Sequence, residues 1–279
     1  MERQSIGLLY PGAMGAQVGV VAVAAGHRVC WVPAGRGAAT RARAEAAGLE
    51  PLEDLAALAR TCGVILSVCP PAAALDVARA VAGTAFTGLF VDANAISPGR
   101  AASVAGAFGA GVEVADGGLI GPPPRRAGTT RLVVSGPAFA ASRVAEMFAG
   151  TVLDVHVLPG PVGQASALKL AFAAYNKISF ALAAQSSALA AAHGVLPELL
   201  EIAGEALPGT PLARPETLVT AGPRAWRWGP EMAEIADAYA SAGLAPEIAF
   251  AAERLFARWN VHKDDADVTL GRLLDDLPE

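Results

Sequence analysis

The chain has 279 residues, 53% hydrophobic and 17% charged, which excludes a disordered polymer or a coiled coil and indicates about two domains. Its net charge of −5, with arginines scattered rather than clustered, argues against a nucleic-acid binder. The most apolar stretch, 18–25, falls far short of the roughly 20 residues of a membrane span, and no signal-peptide core precedes the first strand, so a cytoplasmic protein without membrane contact is expected.

Up to about residue 160, short apolar runs alternate with alanine-rich helical stretches. The β-like runs cover 6–10, 28–32, 64–68, 88–92, 112–115, 132–135 and 152–157, and most are continuously apolar, as strands buried on both faces are. Repeated β-α units of this kind predict an α/β fold with a doubly wound, Rossmann-like parallel sheet. The first run leads into Tyr10-Pro11-Gly12-Ala13-Met14-Gly15 and then an apolar helix, the order expected of a dinucleotide-binding loop. Gly12 suits close approach of a pyrophosphate and Gly15 suits tight packing of the helix on the sheet. The helix start at Ala13 and Met14 offers N–H groups and the positive end of the dipole. The first glycine of the fingerprint is missing, with Tyr10 in its place, and an ordinary tight turn is the competing reading.

The second run ends in Val32-Pro33-Ala34-Gly35-Arg36-Gly37, with no carboxylate to accept from ribose hydroxyls. A guanidinium there can grip a 2′-phosphate, so Arg36, supported by Arg41, predicts NADP(H) in preference to NAD(H); a solvated turn arginine is the alternative. The missing acid also counts against an S-adenosylmethionine site. Cys30, Cys62 and Cys69 are odd in number and lack metal-ligand spacing, so buried thiols and no metal are expected. Pro70, just past the third run, is placed with the cofactor contacts. So is Asn94, at the carboxyl end of the fourth run, where open α/β sheets bind ligands; an Asx turn before Ser97-Pro98 is its other reading.

Beyond Pro159-Gly160-Pro161 the pattern changes. Residues 163–193 read as one uninterrupted helix of about 45 Å at ~1.5 Å per residue, stopped by Gly194. Further helices are expected over 196–206, 226–241, 246–259 and 268–274. The predicted domains are therefore 1–162, nucleotide-binding, and 163–279, all-helical, the latter including the connecting helix. His27 and His156 read as packed or capping, His262 as part of a solvated run, and Trp226, Trp228 and Trp259 as fillers of helix interfaces.

Several of these segments resemble one family. The 10–15 loop with Gly26-His27-Arg28-Val29 resembles the N-terminal signature of the β-hydroxyacid dehydrogenase superfamily, which includes 3-hydroxyisobutyrate and 6-phosphogluconate dehydrogenases and the imine reductases. Val91-Asp92-Ala93-Asn94-Ala95-Ile96-Ser97-Pro98 is similar to its fourth-strand segment, and Asp116-Gly117-Gly118-Leu119-Ile120-Gly121-Pro122 to its substrate loop. Gly163-Gln164-Ala165-Ser166-Ala167-Leu168-Lys169 is similar to the start of its interdomain helix, which implies that Lys169 is catalytic. The Pro122-Pro123-Pro124 run and segments 225–228 and 231–235 resemble, more loosely, a less characterised 6-phosphogluconate dehydrogenase-like branch. The resemblance implies a homodimer with interlocking helical domains. It also marks two departures: Ile120 stands where the main family has serine, and Ala173 one turn past the lysine, where it has asparagine. Asn176, seven residues on and about 10 Å along the axis, is the nearest amide on that face. The small-molecule substrate expected is therefore not a standard small 3-hydroxy acid, and the site is expected to be roomier and less polar.

Hydride exchange between nicotinamide and a carbonyl carbon also needs a proton at oxygen, which a lysine supplies if burial among apolar residues lowers its pKa from about 10.4 towards about 7–8. Lys169 lies in an otherwise apolar stretch that suits this, though a snorkelling surface lysine fits the residues alone. Gly117 and Gly118 are expected to offer N–H groups to a substrate oxygen, with a plain bulge or turn as the alternative, and Lys177 to be structural. The reading is an NADP(H)-dependent oxidoreductase acting on C=O/CH–OH. Imine reduction on the same scaffold and a non-catalytic NADP-binding regulator stay open.

Overall fold

A computed structural model describes residues 3–278, which divide into two compact units, one ending at Leu170 and the other beginning at Ala171. The first holds one eight-stranded sheet in the order β3-β2-β1-β4-β5-β6-β7-β8. Its strands are β1 Ser5–Leu9, β2 Arg28–Trp31, β3 Glu50–Pro51, β4 Val64–Ser67, β5 Leu89–Asp92, β6 Glu113–Ile120, β7 Arg131–Ser135 and β8 Asp154–Val157. All neighbours pair in parallel except β6 and β7. The helices between them are α1 Ala13–Ala24, α2 Ala38–Ala46, α3 Leu55–Thr61, α4 Ala74–Ala82, α5 Pro98–Gly106 and α6 Ala138–Met147. Strand order reverses between β1 and β4, the switch point at which such sheets bind ligands.

Continuous apolar runs make this sheet because alternate residues feed two cores. Ile6, Leu8, Val64, Leu66, Leu89, Val91, Leu132 and Val134 pack into one layer. Leu9, Ile65, Phe90 and Val114 face the other. Local caps set helix starts: Asp54 accepts from Ala57 N–H at 2.6 Å and Ser97 from Arg100 N–H at 3.2 Å, with Pro98 at the first helical position. His27 is packed as expected. Its Nδ1 accepts from Gln4 N–H, so Nε2 carries the proton and donates to Met147 O at 2.9 Å. His156, in contrast, lies exposed on edge strand β8.

Two strand features differ from the expectation. β3 is two exposed residues, Glu50-Pro51, too short and too polar to give a pattern. More consequentially, 116–120 is not a loop but the far half of β6, paired antiparallel with β7. Paired glycines are poor strand formers, and Gly117-Gly118 hid the strand.

The long helix, α7 Gln164–Ala192, agrees with the expected 163–193. The second unit contains its later turns and α8 Leu196–Ala206, α9 Glu216–Ala221, α10 Gly229–Ser241, α11 Glu247–Arg258 and α12 Leu270–Asp275. An aromatic chain, Phe180–Trp228–Phe256–Trp259, forms its centre, and Trp259, fully buried, donates from Nε1 to Leu273 O at 2.9 Å. Lys177 is structural, as expected: it is buried in an ion pair with Glu231. His262 is not solvated. It is buried, with Nε2 2.5 Å from Oδ2 of Asp276 at the C-terminal end of α12. Among the described residues no helix is long and apolar enough to cross a membrane, and no cluster of three or more His, Cys, Asp or Glu is arranged to hold a metal ion.

Candidate functional site

The loop after β1 is built around one carbonyl. Tyr10 takes a left-handed backbone, φ 64°, and its O accepts from Gly12 N–H at 2.7 Å. A Cβ at Gly15 would lie 2.6 Å from that same oxygen and 3.4 Å from Val68 Cβ, so only glycine lets α1 start this close to the ends of β1 and β4. The first intrahelical bond runs from Ala16 N–H to Gly12 O, which leaves the N–H groups of Ala13, Met14 and Gly15 ahead of it at the positive end of the dipole. Pro70 is exposed just past β4, the strand whose end meets Gly15.

Beyond β2 the chain carries three arginines and no carboxylate between Trp31 and Glu45. The Arg36 guanidinium lies over the Tyr10 ring, 3.6 Å from its centroid. Arg41 Nε donates to Arg36 O at 3.0 Å, and Arg43 Nη2 to Thr40 Oγ1 at 3.0 Å. Arg43 Nε reaches Pro11 O at 3.5 Å, which ties α2 back to the glycine loop. The sequence reading did not single out Arg43. Its only signal in the sequence is that it belongs to the same carboxylate-free stretch as Arg36 and Arg41.

The ends of β4, β5 and β6 share a buried polar network. Asn94 is buried: Oδ1 accepts from Cys69 N–H at 2.6 Å, and Nδ2 donates to Ser67 Oγ at 3.2 Å and Asp92 Oδ2 at 2.8 Å. Its amide is thus spent within the fold, shaping the segment between Cys69 and Pro70. The three cysteines are buried and free, and burial pushes the Cys69 thiol up to about 11 and Cys62 up to about 12, so neither is a ready thiolate.

Burial also pushes the Asp92 carboxyl up to about 7, against the two hydrogen bonds from Asn94 that favour its charged form; the nearby Asp116 adds to the rise. A folded-state pKa above the unfolded one makes this group's contribution complete below about 4 and lost as pH rises through about 7. Thermal melts of wild type are therefore expected to fall across pH 4 to 7 by more than those of Asp92→Asn. Equal slopes for the two proteins would show that Asp92 does not titrate there.

Lys169 sits where β6 and the start of α7 are pinned together. Asp116 Oδ2 accepts from Gly163 N–H at 2.9 Å, Ser166 N–H at 2.9 Å and the Ser135 hydroxyl at 3.1 Å, and its Oδ1 from the Ser166 hydroxyl at 2.6 Å. Ser135 Oγ in turn accepts from Ala165 N–H at 2.9 Å. This carboxylate, brought from a strand, caps the first turn of α7, which explains why residues up to 170 belong with the sheet rather than with the helical unit. A Cβ at Gly118 would lie 2.7 Å from Lys169 Cβ and 3.2 Å from Ala165 O, and one at Gly117 would lie 3.0 Å from Asp92 O. The two glycines are therefore sites of close approach, which brings Lys169 onto the carboxyl edge of the sheet.

Lys169 is half-buried rather than enclosed by its apolar neighbours, since Leu168 is itself exposed. Ile120, at the end of β6, is half-buried. Ala173, buried, and Asn176, exposed, lie on the α7 turns of the second unit. Sequence reasoning missed Asp116 as the organiser of the site, although it opens the 116–122 motif.

A family model described as a domain of unknown function (DUF1932) matches residues 190–259. An uncharacterized 28.5 kDa protein from the 7S RNA 5′ region of Methanothermus fervidus is 28% identical over 171 residues, 61% of this chain, and the chain spans 65% of that relative's length. Among solved structures, Mycobacterium tuberculosis 3-hydroxyisobutyrate dehydrogenase with L-serine is 20% identical with a TM-score of 0.76, covering 100% of both chains. The reductive aminase of Aspergillus terreus, in complex with NADPH and ethyl levulinate, is 18% identical with a TM-score of 0.59, over 98% of this chain and 99% of that one. The chain thus has the fold seen in 3-hydroxyisobutyrate dehydrogenase, with an N-terminal Rossmann sheet followed by a helical unit, as the sequence resemblance implied.

Proposed function

We propose that this protein is an NADP(H)-dependent oxidoreductase that interconverts a carbonyl and an alcohol, with Lys169 as proton donor and acceptor. One observation carries the reading: Lys169 is seated on Gly118 at the sheet edge that also carries the glycine loop, its helix start held by Asp116.

The loop residues fit a phosphorylated dinucleotide. The space that a Cβ at Gly15 would fill is closed, while a Cβ at Gly12 would meet nothing nearer than 4.0 Å, so the phosphate side stays open. The first-turn N–H groups of α1 suit the pyrophosphate, and Arg36, with Arg41 and Arg43 behind it, suits a 2′-phosphate that a carboxylate would repel. Pro70 and Asn94 border the nicotinamide end, Asn94 through the backbone it shapes. When bound, the nicotinamide supplies or takes the hydride. Lys169 then gives a proton to the substrate oxygen in reduction and removes it in oxidation. Gly117, Gly118 and Ile120 form the floor beneath the substrate. The substrate roles of Ala173 and Asn176 rest on the sequence resemblance alone.

Imine reduction is the second reading, favoured by the likeness to a reductive aminase and by apolar Ile120 and Ala173 in place of serine and asparagine. Single-turnover absorbance at the nicotinamide band, with NADPH against a panel of ketones and imines and with NADP⁺ against hydroxy acids, tests the function. Oxidation by ketones but not imines is expected. The reverse selects imine chemistry, and no turnover with any of them leaves a coenzyme-binding protein without catalysis.

A homodimer is part of the proposal. Tyr175, Leu182 and Leu189 recur every seven residues along α7 and are 81%, 68% and 64% exposed, an apolar stripe suited to a second copy. Sedimentation is expected to give a dimer for wild type and a monomer for Leu182→Glu/Leu189→Glu; an unchanged mass for the variant contradicts this interface.

A further inference from the structure

Tyr10 poses a question that the dinucleotide loop leaves unanswered. It occupies the place of the first fingerprint glycine and holds φ 64°, a left-handed conformation that a bulky side chain adopts only at a cost. The backbone turn does not need it. The functions of the Tyr10 carbonyl, accepting from Gly12 N–H and lying against Gly15, belong to the main chain and glycine would serve them without strain. The side chain is what glycine cannot provide. Its ring is half-buried against the core layer that contains Leu9 and Cys30, and its free side carries the Arg36 guanidinium at 3.6 Å.

Arg36 needs such a support. It stands between Gly35, at φ 71°, and Gly37, in a turn with little to fix a long, rotamer-rich side chain. Stacking on an aromatic ring uses the face of the guanidinium and leaves its N–H donors at the edge, where a phosphate is gripped in two-pronged fashion. We propose that Tyr10 is a positioning residue for coenzyme specificity: its ring holds the Arg36 guanidinium beside the glycine loop, edge outward, ready for the 2′-phosphate. The inference rests on the NADP(H) reading above and extends it to a residue at which the usual fingerprint has no side chain.

The test separates the two claims. Calorimetry with 2′,5′-ADP and with 5′-ADP isolates the 2′-phosphate, and it is run on wild type, Tyr10→Phe, Tyr10→Gly, Arg36→Ala and the double variant Tyr10→Gly/Arg36→Ala. The preference of wild type for 2′,5′-ADP is expected to survive in Tyr10→Phe, which keeps the ring, and to fall about five-fold in Tyr10→Gly, the size of one cation–π contact. In the Arg36→Ala background, Tyr10→Gly is expected to change the preference no further. The inference is overturned if Tyr10→Gly weakens both probes alike, which is a structural effect on the loop. It is also overturned if the preference is unchanged, or if the loss persists without Arg36; in these cases the coenzyme reading stands. Wild type that does not distinguish the two probes overturns that reading, and the inference with it.

Discussion

Lys169→Ala is expected to lower kcat by at least about 100-fold while leaving the Kd for NADPH within about two-fold of wild type. The split follows from where the residue sits. Lys169 is carried by α7 and packs its Cβ on Gly118, whereas the loop assigned to the coenzyme phosphates lies at the end of β1. On the proposed mechanism, removing the amine takes away the proton source for the substrate oxygen and spares the loop proposed for the phosphates. Lys169→Arg is expected to fail almost as fully, since a guanidinium keeps its proton across the whole working range. Stopped-flow absorbance of the nicotinamide, with coenzyme affinity measured in parallel, reads both quantities. Near-normal turnover in Lys169→Ala removes the lysine from the mechanism. Lost coenzyme binding instead makes it part of the cofactor site.

Asp116→Ala carries the largest expected cost in stability. One buried carboxylate takes hydrogen bonds from two backbone N–H groups and two hydroxyls, at Gly163, Ser166 and Ser135. Alanine leaves the two backbone N–H groups buried without their acceptor, at about 1–3 kcal/mol each, while the two hydroxyls can rotate to other acceptors at smaller cost, so a total of roughly 3–5 kcal/mol is expected. For a unit of 170 residues this corresponds to a Tm lower by about 10 °C. Turnover is expected to fall as well, because the same bonds hold the turn that bears Lys169. Ser135→Ala orphans one N–H, that of Ala165, and removes one of the four donors to Asp116, and is expected to cost about 1–2 kcal/mol. Thermal melts of the two variants check the ranking. An Asp116→Ala protein as stable as wild type contradicts the capping role.

Much of this architecture is legible in the residues because its determinants are local. Continuous apolar runs mark the strands of a sheet covered on both faces, and the proline-free stretch after Gly163 marks α7 almost to its ends. The glycine loop shows itself through Gly15, whose lack of a side chain the packing against Tyr10 O demands. What the sequence withholds is set by partners distant along the chain. Asp116 caps a helix about 50 residues away, a relation without periodicity or motif spacing. Gly117 and Gly118 read as a loop since close approach to Lys169 and Asp92, which explains them, exists only in three dimensions. His262 lies in a charged run and is nevertheless buried, because Asp276 folds onto it. Tyr10 looks like a defect in the fingerprint until Arg36 is seen against its ring.

The central claim is that the Lys169 amine serves the oxygen borne by the carbon at which hydride is exchanged. A crystal structure of the protein with NADP⁺ and a substrate-like ketone or alcohol tests it most directly. The account predicts the Lys169 Nζ within about 3.2 Å of the ligand oxygen, directly or through one water, with the nicotinamide ring on the other side of the reacting carbon. An Nζ turned to bulk solvent, with another group against that oxygen, contradicts the account and leaves Lys169 a surface residue on a dehydrogenase-like fold.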